Sequence, residues 1–281
     1  MRIGRYQVHS LLTSYFSLDG GSMFGSIPKT LWEKKIPSDE KNRIPLCTRS
    51  LFLVDDDRRI IVDTGNGDKW DDKYRAIYNV DTQSVNLESS LNSLGYKVDD
   101  ITDIICSHLH FDHAGGNTKI DDRGRTVPTF PYATYWIQKT NLELANHPSE
   151  KDQASYLSHN WEVLAENGMI ECIDGTESFL PDIEIFVSNG HTTGQQHLIL
   201  RDEKTTLFFA GDLFPTIANI PIPWVMAYDL RPLQTIREKK SLLQKIVGED
   251  WLVFFEHDRE CEAAKVEFDG KSFTIGQKFK I

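Results

Sequence analysis

The chain is short of cysteine, of basic excess and of long apolar runs, and each shortage removes a class of function. Its four cysteines, Cys47, Cys106, Cys172 and Cys261, form no Cys-x-x-Cys pair in 281 residues, which speaks against a zinc ribbon or a dithiol redox motif. Free, buried thiols are the expected state. Basic residues number 31 against 42 acidic ones, a net charge of −11 with pI near 5.3, so no diffuse attraction to nucleic acid or anionic lipid is expected. The longest apolar stretches, such as 51–54 and 206–210, fall far below the roughly 18 residues needed to cross a bilayer. Arg2, Gly4, Arg5, Tyr6 and Gln7 interrupt the N-terminus before a signal-peptide core can form, which makes the cytoplasm the expected location. Fixed-period repeats, low-complexity tracts and Pro/Gly/Ser linkers are also missing. What is present is a chain with 40% hydrophobic residues, enough for a substantial core, and it reads as a single α/β domain over residues 1–281.

Residues 50–54 and 59–63 are short apolar runs around an Asp-rich turn and predict a hairpin of buried strands. Leu87, Leu91 and Leu94 recur at helical spacing after Ser84, a good N-cap, with Gly95 as the stop. Residues 103–107 predict a buried strand that empties into His108. Helices are expected over 135–146 and 154–166, then strands over 169–173, 183–188, 196–201 and 205–210. Pro232 starts a further helix with Leu233, Ile236, Leu243 and Val247 on its apolar face, before a last strand at 251–255. This order suggests sheets sandwiched by helices.

The chemistry concentrates in His108-Leu109-His110-Phe111-Asp112-His113, which places three of the chain's nine histidines and one carboxylate within six residues. Imidazole and carboxylate suit zinc, and also manganese, iron or cobalt. One short turn cannot wrap four such groups around a single tetrahedral ion without strain. Alternation lets His108 and His110 face one ion while Asp112 and His113 face a neighbour. Further donors follow predicted strands: His191 in Gly190-His191-Thr192, Asp212 in Gly211-Asp212, and His257 in Glu256-His257-Asp258.

His108-x-His110-x-Asp112-His113, then His191, Asp212 and His257 in that order, resembles the ligand set of the metallo-β-lactamase fold hydrolases. That resemblance spans essentially the whole chain and implies an αββα four-layer sandwich with two divalent metal ions at the sheet edges. The stretches His108–Asn117 and Gly190–Gln195 are similar to those of the N-acyl-homoserine lactonases. Asp19–Lys29 and Trp224–Asp229 look like segments of bacillary quorum-quenching lactonases. Carried over, the family implies one ion on His108, His110 and His191, the other on Asp112, His113 and His257, and Asp212 bridging both. Asp63, in Val62-Asp63-Thr64-Gly65, matches a buried aspartate that orients a ligand. One departure stands out: the family's lactonases carry a tyrosine three residues after the bridging aspartate, and here that position is Pro215. Tyr228 is a candidate replacement.

The implied reaction is hydrolysis of a neutral lactone or ester by a metal-bridging hydroxide, with Asp112 as proton shuttle and Asp212 as the shared carboxylate. Phosphodiester or thioester hydrolysis on the same scaffold is the alternative, and a noncatalytic binding module a remote one. Flavodiiron redox chemistry is disfavoured, because those relatives place glutamate where this chain has His110. Residues 18–29, rich in glycine but lacking Gly-Lys-Ser/Thr, read as a flexible apolar lid rather than a phosphate loop. Phe16, Met23, Phe24, Ile220, Trp224 and Tyr228 are the candidate substrate-pocket residues.

Overall fold

The structure is a computed structural model that describes residues 1–176 and 178–281. The chain forms two compact units, one from Met1–Phe16 and Thr48–Gly175, the other from Ser17–Cys47 and Thr176–Ile281. Strands β1 (Arg2–Ile3), β2 (Tyr6–Asp19), β3 (Arg43–Val54), β4 (Arg59–Val62) and β5 (Asp103–Ile105) precede a small hairpin, β6 (Thr118–Ile120) and β7 (Thr126–Pro128). With β8 (Thr134–Gln138) and β9 (Ile170–Ile173) they complete a seven-stranded sheet of order β1-β2-β3-β4-β5-β8-β9. The hairpin β3–β4 is antiparallel, whereas β4–β5, β5–β8 and β8–β9 are parallel. Parallel neighbours need a crossover, and the Leu87–Ser93 helix lies in the one from β4 to β5. Its N-cap is Asn86, two residues past the expected Ser84, because Asn86 and Ser89 bond reciprocally as a capping box. The core of this unit gathers Leu11, Phe52, Ile61, Leu91, Ile104, Tyr135 and Trp161.

The second unit carries β10 (Ile183–Ser188), β11 (Gln195–Arg201), β12 (Thr206–Phe209), β13 (Leu252–Phe254), β14 (Ala263–Phe268) and β15 (Phe273–Phe279), in that spatial order. Only β12–β13 is parallel, and the Pro232–Gly248 helix, with its proline in the first turn, makes the crossover. Phe208, Phe214, Leu243, Ile246, Trp251 and Val253 form the core here. Among the described residues, no helix is long and apolar enough to cross a membrane.

Five expectations change. Residues 135–138 are strand β8, not helix, because Tyr135, Trp136 and Ile137 pair in parallel with β5 and β9 and only Lys139–Asn146 continues as helix. The expected 154–166 helix breaks into two single turns and a short Glu162–Glu166 helix, as Ser155, Ser158, His159 and Asn160 favour turns over helix interiors. The Pro232–Gly248 helix buries Thr235, Lys239, Leu242, Leu243 and Ile246, while Leu233 is 69% exposed. The expected lid begins as a short Gly20–Phe24 helix capped by Asp19, and a Cβ on Gly20 would lie 2.4 Å from the Trp32 ring, so glycine there serves close packing. Of the cysteines, Cys47, Cys106 and Cys261 are buried as expected, but Cys172 is exposed on β9.

Candidate metal centre

Strand direction decides where the polar residues gather. β4 and β5 are parallel, so Asp63, just past β4, and the 108–113 motif, just past β5, leave the first sheet at one edge. In the second sheet β10, β12 and β13 run the same way, and His191, Asp212 and His257 follow their C-terminal ends. Every one of these ligand candidates is buried.

In the first unit, Asp63 sits at φ 56°, a left-handed conformation that aspartate tolerates better than most residues. Its carboxylate accepts from the Ser107 N–H at 2.6 Å and Oγ–H at 2.5 Å, and from His113 Nδ1–H at 3.0 Å. With the Ser107 proton committed to Asp63, its oxygen accepts from His108 Nδ1–H at 3.0 Å. Both imidazoles therefore hold their protons on Nδ1 and keep the Nε2 lone pair for ligation. His108 Nε2 lies 3.0 Å from His110 Nδ1, and His113 Nε2 lies 3.9 Å from Asp112 Oδ1. Cys106, two residues before the motif, is no nucleophile: burial, with the Asp63 charge, pushes its thiol up to about 12.

The second unit repeats the device. His191 Nδ1–H donates to Asp229 Oδ1 at 3.0 Å, and His257 Nδ1–H donates to the Cys47 carbonyl at 2.9 Å. The opposite nitrogens face one carboxylate, His191 Nε2 at 3.2 Å from Asp212 Oδ2 and His257 Nε2 at 3.1 Å from Asp212 Oδ1. Two ligands on a tetrahedral zinc at about 2.0–2.1 Å stand roughly 3.3 Å apart, close to these separations. With both Nδ1 protons committed outward, each contact sets a nitrogen lone pair against a carboxylate oxygen. Repulsive on its own, that arrangement is satisfied by a cation at each oxygen, so the donor set fits divalent metal ions.

Asp229, Ser107 and the Cys47 carbonyl carry no distinctive spacing, and sequence reasoning assigned them no role. Asp229 lies in the 224–229 stretch already singled out, which is the one signal that pointed near it. Pro215, where the family's lactonases have tyrosine, accepts the His257 backbone N–H on its carbonyl at 3.1 Å. Tyr228 is half-buried beside Asp229 in sequence. Phe16, Met23 and Phe24 are buried; Phe24 stacks on Trp32 at 5.5 Å and meets Trp224 edge-on at 5.6 Å, so its ring is packed rather than open. Ile220 lines a cavity of about 460 Å³ together with Ile36, Ile217, Phe273 and His257.

In each unit, a sheet whose strand ends present buried imidazoles and carboxylates marks an α/β protein with candidate metal ligands. The family model of the metallo-beta-lactamase superfamily matches residues 45–257, and the chain belongs to that superfamily. It is 29% identical to an N-acyl homoserine lactonase of Bacillus thuringiensis over 185 residues and 30% identical to one of Bacillus cereus over 184. Each match covers 64% of this chain and 65% of the relative, so it falls just short of two thirds of the relatives' length. The crystal structure of a probable metal-dependent hydrolase from Staphylococcus aureus aligns with a TM-score of 0.90 at 28% identity, over 100% of this chain and 99% of that one. A dizinc quorum-quenching lactonase solved with its product shares the fold, with a TM-score of 0.81 at 19% identity over 100% of this chain and 97% of that one.

Proposed function

We propose that this protein is a metal-dependent hydrolase that opens neutral lactones or esters, N-acyl-homoserine lactones first among them, in a cytoplasmic quorum-quenching role. The observation that carries the reading is Asp212, whose two oxygens each face an imidazole nitrogen with its lone pair turned inward. Superfamily membership and the lactonase relatives support it. In this reading both units serve one functional domain over residues 1–281. His108, His110 and His191 would hold one divalent ion and Asp112, His113 and His257 the other, with Asp212 available to both and zinc ahead of manganese, iron or cobalt. Such ions supply a lowered water pKa and polarisation of the substrate carbonyl.

The chain's own residues supply orientation and proton handling. Asp63, through His113 and Ser107, and Asp229, through His191, keep the ligating nitrogens deprotonated and aimed. Asp112 accepts the proton released by the attacking water and passes it to the departing ring oxygen. Tyr228 is the phenol that takes the place of the one missing at Pro215. The cavity lined by Ile36, Ile217, Ile220, Phe273 and His257 receives the acyl chain along its aliphatic side.

A panel of lactone, thioester and phosphodiester substrates on the metal-loaded protein tests the assignment. Lactone turnover well above the other two is expected. Efficient phosphodiester or thioester hydrolysis with no lactone opening overturns it. Within that panel, Tyr228→Phe should lower lactone kcat by about 10²–10³, the usual effect of losing one oxyanion donor, with metal content unchanged.

A further inference from the structure

Two consecutive side chains of the Pro232–Gly248 helix reach two different loops, and those loops meet at one histidine. Glu238 accepts the Asn189 N–H on Oε1 at 2.9 Å and the Gly190 N–H on Oε2 at 3.0 Å. Gln234, one turn earlier, donates to Oε1 at 2.8 Å and fixes the carboxylate's direction. Lys239 is buried and donates to the backbone carbonyls of Asn219, Pro221 and Trp224, the latter two at 3.1 and 2.9 Å. The first loop runs directly into His191. The second runs, five residues on, into Asp229, which accepts the His191 Nδ1–H.

The chemistry of each clamp fits its task. Two successive peptide N–H groups of a tight turn match the two oxygens of one carboxylate, and the bonds are charge-assisted. The three carbonyls of the other loop match the three protons of an ammonium, whose burial is costly unless those bonds are made. The turn also leans on the helix start: the Gly190 carbonyl accepts from Arg231 N–H at 2.8 Å, the His191 carbonyl from Leu230 N–H at 2.9 Å, and a Cβ on Gly190 would lie 2.4 Å from the Thr235 nitrogen. Neither Glu238 nor Lys239 belongs to the expected ligand set.

We propose that Glu238 and Lys239 are positioning residues, Glu238 holding the 189–190 turn and Lys239 the 219–224 loop, so that His191 is delivered between Asp229 and Asp212. The role rests on the metal-centre reading above, but its primary readout does not. In the metal-free full-length protein with ¹⁵N-labelled histidine, the wild type should show a downfield Nδ1–H resonance for His191, bonded to Asp229. Glu238→Ala and Lys239→Met should shift or broaden that resonance while the His257 ring signals stay in place. In chelator competition, both variants should lose one ion 10- to 100-fold more readily and keep the other at wild-type affinity. Glu238→Gln, which retains a single acceptor, should give an intermediate effect and decides the matter if Glu238→Ala does not fold. An unchanged His191 resonance in Glu238→Ala or Glu238→Gln, or equal weakening of both ions, overturns the proposal. If the wild type binds no divalent ion while the His191 resonance still responds, the metal reading fails and the positioning role stands.

Discussion

At the scale of single residues, the recurring device is the fixing of a proton. His113, His191 and His257 each spend Nδ1–H on an oxygen that only accepts, a carboxylate or a carbonyl, and so present Nε2 as a lone pair. Removing the acceptor frees the ring to rotate or change tautomer, so Asp229→Ala and Asp63→Ala should each weaken metal binding by about 10- to 100-fold, measured by chelator competition. Asp63→Ala should have the wider effect, since Asp63 serves His113 directly and His108 through Ser107. Metal affinity at the wild-type level in both variants would sink the argument. His197 titrates for a different reason: it is buried, bonded to Ser188 Oγ at 2.8 Å and stacked on Phe208, and burial lowers its pKa to about 3. The unfolded chain, near 6.5, binds the proton first, so stability is lost as pH falls from about 6.5 towards 3. Between pH 7 and pH 4 this amounts to at most about 3 kcal/mol. Urea unfolding at the two pH values should show the loss in the wild type and a clearly smaller one in His197→Gln. Equal losses would assign the acid sensitivity to other groups.

At the scale of elements, parallel pairing does the placing. The 108–113 motif was legible because an apolar run ended in it, and β5 does end at Ile105. Strand β8 differs from the expected helix because the three-residue apolar run Tyr135–Ile137 at a helix start has no period of its own to separate it from a strand. The β14–β15 hairpin was missed although Asp269-Gly270, with Gly270 at φ 90°, carries a turn signal. Its strands mix outward Glu267 and Lys278 with few buried residues and so lack an apolar run. The motif's Gly115-Gly116 ending has a packing cause: a Cβ on Gly115 would lie 2.2 Å from the Asn66 carbonyl oxygen, and one on Gly116 would lie 2.4 Å from that of Thr64. Backbone cannot yield as a side-chain tip can. Gly115→Ala should therefore cost about 1–3 kcal/mol in urea unfolding, against a near-neutral exposed substitution such as Lys240→Ala as control. A variant as stable as the wild type would mean the 64–67 loop relaxes freely.

At the scale of the whole molecule, the candidate donors and their order along the chain are readable, because strand ends announce themselves by apolar runs stopping at a polar residue. The partners that aim the ligands were not, because Asp229 lies 38 residues from His191 and the Cys47 carbonyl 210 from His257, and no local pattern links such pairs. Seven candidate donors exceed the four of one tetrahedral zinc, so two equivalents of metal per chain are expected by elemental analysis of the supplemented protein. Ions that bind only the folded state stabilise it by about 4 kcal/mol at a thousand times their Kd, so chelation should lower the melting temperature. His257→Ala separates one ion from two. The backbone at His257 is held without its ring, since its N–H donates to the Pro215 carbonyl and its carbonyl accepts from Cys47 N–H. The fold should therefore survive the substitution, while one equivalent of metal and most of the turnover are lost. Retention of both ions with near wild-type turnover would remove His257 from the ligand set, and loss of both together would collapse the two proposed sites into one.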